Sequence, residues 1–104
     1  MKKYNIFIVK EAKEDLREIY TYISEELCEP QIAKKIRESL KSKIYSLQQF
    51  PNRNPINDEP LFKARGIRAL IAERYRIFYT VNESDSSVMI LRVISTRRDW
   101  QNII

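Results

Sequence analysis

The sequence contains no histidine, one glycine and one cysteine, and each shortage narrows what the chain can be. Without histidine, the side chain that most often moves protons near neutral pH is missing, so the commonest acid-base arrangement is excluded. Cys28 has no partner for an internal disulfide, which suits a reducing cytoplasm. No apolar run approaches the roughly 20 residues needed to cross a bilayer. Residues 1–10 mix Lys2, Lys3 and Lys10 with alternating apolar residues, and they lack the continuous apolar stretch and cleavage site of a signal peptide. A cytoplasmic protein with no membrane partner, metal or cofactor is expected. One glycine and 43% hydrophobic content in 104 residues further predict one domain over residues 1–104, without a linker.

What the chain does have is arginine, unevenly placed. Net charge is +5, which alone supports only a general preference for acidic partners. Residues 11–49 carry seven Lys/Arg against eight Asp/Glu, whereas residues 61–104 carry eight against four. Seven of those eight cations are arginines, at positions 65, 68, 74, 76, 92, 97 and 98. Arginine presents a planar fork of donors matched to phosphate or carboxylate, while lysine is the usual solubiliser of an exposed helix. The partition therefore points to a binding face in the C-terminal half.

Residues 4–9 are rich in β-formers on both alternating sets and predict a strand covered on both faces. Ala12, Leu16, Ile19, Ile23 and Leu27 recur at three and four, so residues 11–27 predict an amphipathic helix, with Glu11, Glu14 and Asp15 near its start. Pro30 suits the first turn of a second helix, whose stripe is Ile32, Ala33, Ile36, Leu40, Ile44 and Leu47. So short a connection implies an antiparallel hairpin. Phe50 and Pro51 end it, and residues 51–60, with three prolines and three asparagines, read as a loop. Three strands follow, over 66–72, 74–81 and 88–95, the last two joined by a polar turn. The expected fold is α+β, in the order β-α-α-β-β-β: an N-terminal strand, a helical hairpin on a small mainly antiparallel sheet, and a short tail from Arg97.

Strand alternation then assigns faces. Tyr75, Ile77, Tyr79 and Val81 suit the helix-packed core, leaving Arg76 and Phe78 on the open side. Choosing the more apolar set in the other strands sends Met89, Leu91 and Val93 inward with Ile67, Ala69 and Ile71. Arg68, Arg76 and Arg92 would then share one open surface with Leu70, Phe78, Ile90 and Ile94 between them. A bulge would invert such an assignment. The plain alternative for any one arginine is pairing with Glu73, Glu83, Asp85 or Asp99. For the whole set, an uncovered apolar surface between the charges points to an interaction site.

Several motifs in order carry a family resemblance. They are AKEDLREIYTYI in the first helix, LQQFP closing the second, GIRALIAERYRIFYTV across two strands, and ILRVISTRRDW at the end. Through nearly the whole chain this resembles the RelE/ParE toxin superfamily. The resemblance implies a small toxin of a type II toxin-antitoxin system, neutralised by an antitoxin encoded beside it, with a toxin-antitoxin hetero-oligomer as an allowed assembly. RelE-like members cut messenger RNA on the ribosome; ParE-like members bind and block DNA gyrase without being nucleases. The alternative is a degenerate toxin that only binds antitoxin.

In the RelE-like reading, Arg76 matches the arginine of the Tyr-Arg strand and Arg98 lies near the late basic residue, so these two are the catalytic candidates. Lys63, Arg65, Arg68, Arg92 and Arg97, with Arg76 and Arg98, are the candidates for contacting nucleic acid or antitoxin. The departure follows Asp99: nuclease members place a tyrosine or histidine near the C-terminus, where this chain has Trp100. The acid role then has no occupant except Tyr79, which reads as core. The long hairpin, the Phe-Pro close and the Arg98-Asp99 tail look more like the ParE branch, in which the arginines dock an acidic antitoxin segment or gyrase. Trp100 is expected to pack on the sheet edge.

Overall fold

A computed structural model describes residues 2–101. The elements are β1 (Asn5–Ile8), α1 (Lys10–Thr21) continuing into a π-helical turn (Tyr22–Glu26), α2 (Pro30–Tyr45), α3 (Pro60–Arg65), β2 (Arg68–Ala72), β3 (Tyr75–Asn82) and β4 (Ser87–Ser95), with single 3₁₀ turns at Ser46–Gln48 and Pro51–Arg53. The α+β order predicted from sequence is present, with one added helix. Residues 102–104, the end of the predicted tail, lie outside the described residues.

The strands lie in the order β1-β4-β3-β2. β1 is parallel to β4, and the other two pairings are antiparallel. Pro30 opens α2 as expected, because its missing N–H is one that a helix start leaves unbonded anyway. The hairpin covers one face of the sheet. Ala12, Leu40, Ile44 and Leu47 from the helical side meet Ile77, Tyr79, Val88, Ile90 and Val93 from the strands. β1 is an edge strand covered on one face only: Ile6 and Ile8 pack on this core, while Phe7 is exposed.

No helix is expected between the 51–60 loop and the strand from Gly66, yet the signals for α3 are local. The Glu59 carboxylate accepts the Phe62 N–H at 3.2 Å, Pro60 opens the helix, and Gly66 ends it at φ +68°. Proline at the start and a left-handed glycine just past the end are the ordinary punctuation of a helix. This short element covers part of the second sheet face with Phe62. A second cluster forms there, made of Phe62, Ile67, Phe78 and Ile94, with Ala69, Leu91 and Trp100 packed against it.

That second cluster corrects the face assignments. In β2 the main core takes Leu70, whereas Ile67 and Ala69 join the second cluster and Ile71 is exposed. Choosing the more apolar set fails where both faces are covered. In β4 the register shifts at Phe78/Tyr79: Phe78 pairs with Arg92 and Tyr79 with Ile90, which leaves Leu91 as an extra residue. Val88, Ile90 and Val93 consequently all reach the main core, Leu91 turns to the second cluster, and Met89 is exposed. A bulge resets the period of two, so no single alternation describes the strand.

Candidate functional site

The bulge decides where Arg92 goes. Arg92, expected on the open face, instead reaches α1. Its Nε donates to Asp15 Oδ2 at 2.7 Å and its Nη2 to Oδ1 at 2.9 Å, while the Val93 N–H also donates to Oδ2 at 2.9 Å. The Asp15 carboxylate holds the Arg92 guanidinium above its ordinary pKa. Arg68 is also displaced from the expected surface. It pairs across the strands with Tyr79, on the helix side of the sheet, and donates to the carbonyls of Asn52 and Asn54. It thereby straps the 51–54 loop to β2.

Tyr79 belongs to the same anchorage. Its ring is fully buried, its hydroxyl donates to the Pro51 carbonyl at 2.7 Å, and it accepts from Asn54 Nδ2 at 3.0 Å. Burial pushes its phenol pKa up, against the lowering pull of Asn54 and the nearby Arg68 and Arg53. A phenol fixed this way is a structural hydrogen-bonding group, as the sequence pattern indicated.

Arg76 remains on the second face. Nη1 donates to the Thr96 carbonyl at 3.2 Å, and the guanidinium carbon lies 5.9 Å from the Trp100 ring centre. Trp100 in turn closes the aromatic cluster, with ring centres 5.1 Å from Phe62 and 5.6 Å from Phe78. Phe62 and Phe78 meet edge to face at 5.6 Å, a favoured aromatic geometry. The sheet packing expected for Trp100 is present. Lys63 and Arg65 are exposed on α3 beside this cluster, and Arg97 is exposed after β4. The large apolar side chains of Leu61 and Ile71 are exposed as well.

Among the described residues, the ion pairs are Lys2 with Glu83 and Arg92 with Asp15. Lys63, Arg65, Arg76 and Arg97 have no carboxylate partner there. The acids expected to neutralise them are engaged elsewhere: Glu73 accepts from Ser39, Glu83 from Lys2, Tyr4 and Asn52, Asp85 from Ser87, and Asp99 from the Gln101 N–H. The simple pairing alternative therefore does not describe this face. Cations with unused donors beside exposed apolar side chains are suited to an acidic macromolecular surface.

The two arginines proposed for RNA chemistry face different surroundings. Arg98 lines a cleft of about 330 Å³ on the helix side, with Asp15, Glu18, Tyr22, Tyr75 and Ser95. Arg76 lies over Trp100 on the other side. The cleft joins α1 and Tyr22 to Tyr75, Val93 and Ser95 of the strands, a long-range juxtaposition that no local spacing encodes. Among the described residues there is no group of three or more metal-ligating side chains, and no helix is long and apolar enough to cross a membrane.

Fold and face together describe a small α+β protein with an aromatic cluster and cations that have no carboxylate partner among the described residues. The family model for the ParE toxin of type II toxin-antitoxin systems, parDE, matches residues 6–100, and the chain belongs to that family. Three solved structures share the fold. A chain of the chromosomal ParDE system from P. aeruginosa is 22% identical with a TM-score of 0.74, over 91% of this chain and 98% of that one. A chain of the RelBE2 toxin-antitoxin complex from Mycobacterium tuberculosis is 21% identical with a TM-score of 0.62, over 89% and 98%. A mutant of the E. coli toxin RelE in the free state is 17% identical with a TM-score of 0.63, over 91% and 85%. At these identities the likeness is one of fold. A search of curated proteins returned no match.

Proposed function

We propose that this toxin acts in the cytoplasm by stoichiometric binding to DNA gyrase, and that a cognate antitoxin neutralises it by laying an acidic segment over the same basic face. The observation that carries the reading is Arg76 on Trp100, flanked by Lys63, Arg65 and Arg97, all without carboxylate partners among the described residues. Such a face supplies charge and aromatic surface for binding.

Cutting RNA asks for more. A proton must leave the attacking 2′-hydroxyl and another must reach the departing oxygen, while cations stabilise the charged intermediate. The chain has no histidine, and the Tyr79 hydroxyl is bonded to Pro51 and Asn54. Arg76 and Arg98, the pair that would share the phosphate, lie in separate settings. Binding uses these residues as they stand, whereas cleavage would need them brought together.

The test is expression without antitoxin, followed by two assays on the purified protein. Growth arrest and loss of gyrase supercoiling, with messenger RNA on translating ribosomes left intact, are expected. A cut message with normal supercoiling would overturn the gyrase reading in favour of ribosome-dependent RNA cleavage. Healthy growth with soluble protein would leave only an antitoxin-binding module.

A further inference from the structure

β1 leaves one side of its backbone unpaired. The Asn5 N–H donates to the Ser86 carbonyl at 2.9 Å and the Val9 N–H to the Ile90 carbonyl at 3.1 Å. In a parallel pair, residues alternate between turning their backbone groups to the neighbouring strand and turning them away from it. Asn5, Phe7 and Val9 therefore face β4, and the N–H and C=O of Ile6 and Ile8 point off the sheet. Among the described residues, nothing outside the sheet bonds these groups. Tyr4, the preceding residue on that side, is already taken, since its N–H donates to the Gln48 carbonyl at 2.9 Å. On the face away from the helices, Phe7 lies in register with Met89, and both side chains are exposed. The opposite edge of the sheet is partly covered, where Ile56 bridges to Arg68 of β2.

We propose that β1 is a self-pairing edge, adding antiparallel to β1 of a second copy of this chain so that the two sheets become one across a two-fold axis. The unpaired groups fix the register. With Ile6 and Ile8 facing out, the two-fold registers that bring outward residues together are centred on Ile6, Phe7 or Ile8. Centring on Ile6 sets Ile8 against the partner's Tyr4, whose N–H is occupied, and Lys2 against the partner's Lys10. Centring on Ile8 runs Ile6 into the start of the partner's α1. Centring on Phe7 sets Ile6 opposite the partner's Ile8 and Ile8 opposite the partner's Ile6, so every outward N–H and C=O of these residues is satisfied. The same register directs Lys3 toward the partner's Glu11, opposite in charge. It also places the two exposed Phe7 side chains face to face at a non-hydrogen-bonded pair, where cross-strand side chains come closest. Because the other sheet edge is partly covered, the pairing closes at two copies.

So short a contact belongs at the weak end of protein interfaces, and the pairing is independent of how growth is arrested. In sedimentation equilibrium the full chain should shift from monomer to dimer as its concentration rises. Phe7→Glu sets two carboxylates against each other across the axis. It should remain a monomer throughout, with an unchanged circular dichroism spectrum because Phe7 is exposed. The register is read by cross-linking in a Cys28→Ser background. Cα atoms of a non-hydrogen-bonded pair lie within reach of a disulfide, so Phe7→Cys should form a covalent dimer on mild oxidation at least ~10-fold faster than Asn5→Cys. Asn5 is equally exposed on the same strand but lies away from the axis. Wild-type protein that stays monomeric at every concentration overturns the proposal. So does self-association that survives Phe7→Glu, which would put the contact elsewhere, or equal cross-linking rates at positions 5 and 7, which would mean random collision.

Discussion

Asp15 and Arg92, 77 positions apart in sequence, form a two-pronged ion pair in which both carboxylate oxygens accept from the guanidinium. The same carboxylate accepts the Val93 N–H just past the bulge in β4. Asp15 is the charged residue buried within α1, with its side chain 8% exposed and that of Arg92 22% exposed. The pair therefore pins the helix to the one place where the sheet register slips.

Asp15→Asn should destabilise the protein strongly, by about 3 kcal/mol, because it leaves a partly buried guanidinium without its counter-charge. Arg92→Leu in the same background should recover part of the loss. Urea denaturation of the four proteins in the cycle measures this, and additive losses would mean that the two residues do not act as a pair.

Tyr79→Phe removes the hydroxyl between Pro51 and Asn54. A cost of about 1–3 kcal/mol is expected from leaving buried groups unsatisfied. Growth arrest at a temperature where the variant is folded should persist. Loss of toxicity from a fully folded variant would assign the hydroxyl a functional role.

Glu83 gathers Lys2, Tyr4 and Asn52 at the N-terminal end of the sheet. The hydrogen bond from Asn52, followed by that from Tyr4, holds its carboxyl below the ordinary value. A depressed folded-state pKa contributes stability above the unfolded value, and that stability is lost as pH falls through the folded value. Glu83→Gln should therefore be less stable than wild type at neutral pH, with the gap closing in acid below the ordinary carboxylate range. Denaturation midpoints at several pH values check the sign.

The turn between β2 and β3 holds Glu73 at φ +53° and Arg74 at φ +68°. Two positive φ angles fit the tight turns that match strand twist, but such turns favour asparagine and glycine. Arg74→Gly should raise stability by about 0.5–1 kcal/mol by relieving the left-handed strain. A lowered melting temperature would show that the Arg74 side chain contributes more than its backbone costs.

Trp100 is the single tryptophan, and its position beside Arg76, Phe62 and Phe78 makes it a reporter for the basic face. Partner binding should alter its emission. Arg76→Ala should weaken that binding roughly 10-fold, with circular dichroism unchanged. Full binding by the variant would remove Arg76 from the interface.

Local physics in the chain determined most of the scaffold. The apolar spacing of α1 and α2, Pro30 at a helix start and the alternation of Tyr75, Ile77, Tyr79 and Val81 each act over a few residues, so they are legible in order along the sequence. The excess of arginine in the C-terminal half was legible too, as was the core position of Tyr79. The glycine and proline that bracket α3 were equally local, but the aliphatic run after Gly66 masked them. What tertiary structure alone decided was the destination of each arginine. Arg68 straps a loop, Arg92 is bound to Asp15, Arg76 faces Trp100, and Arg98 turns toward the helices. For Arg92 the reason is that one extra residue at Leu91 shifts the pairing between β3 and β4. Hydrogen bonding between strands distant in sequence sets that shift, and neither the composition nor the periodicity of β4 contains it.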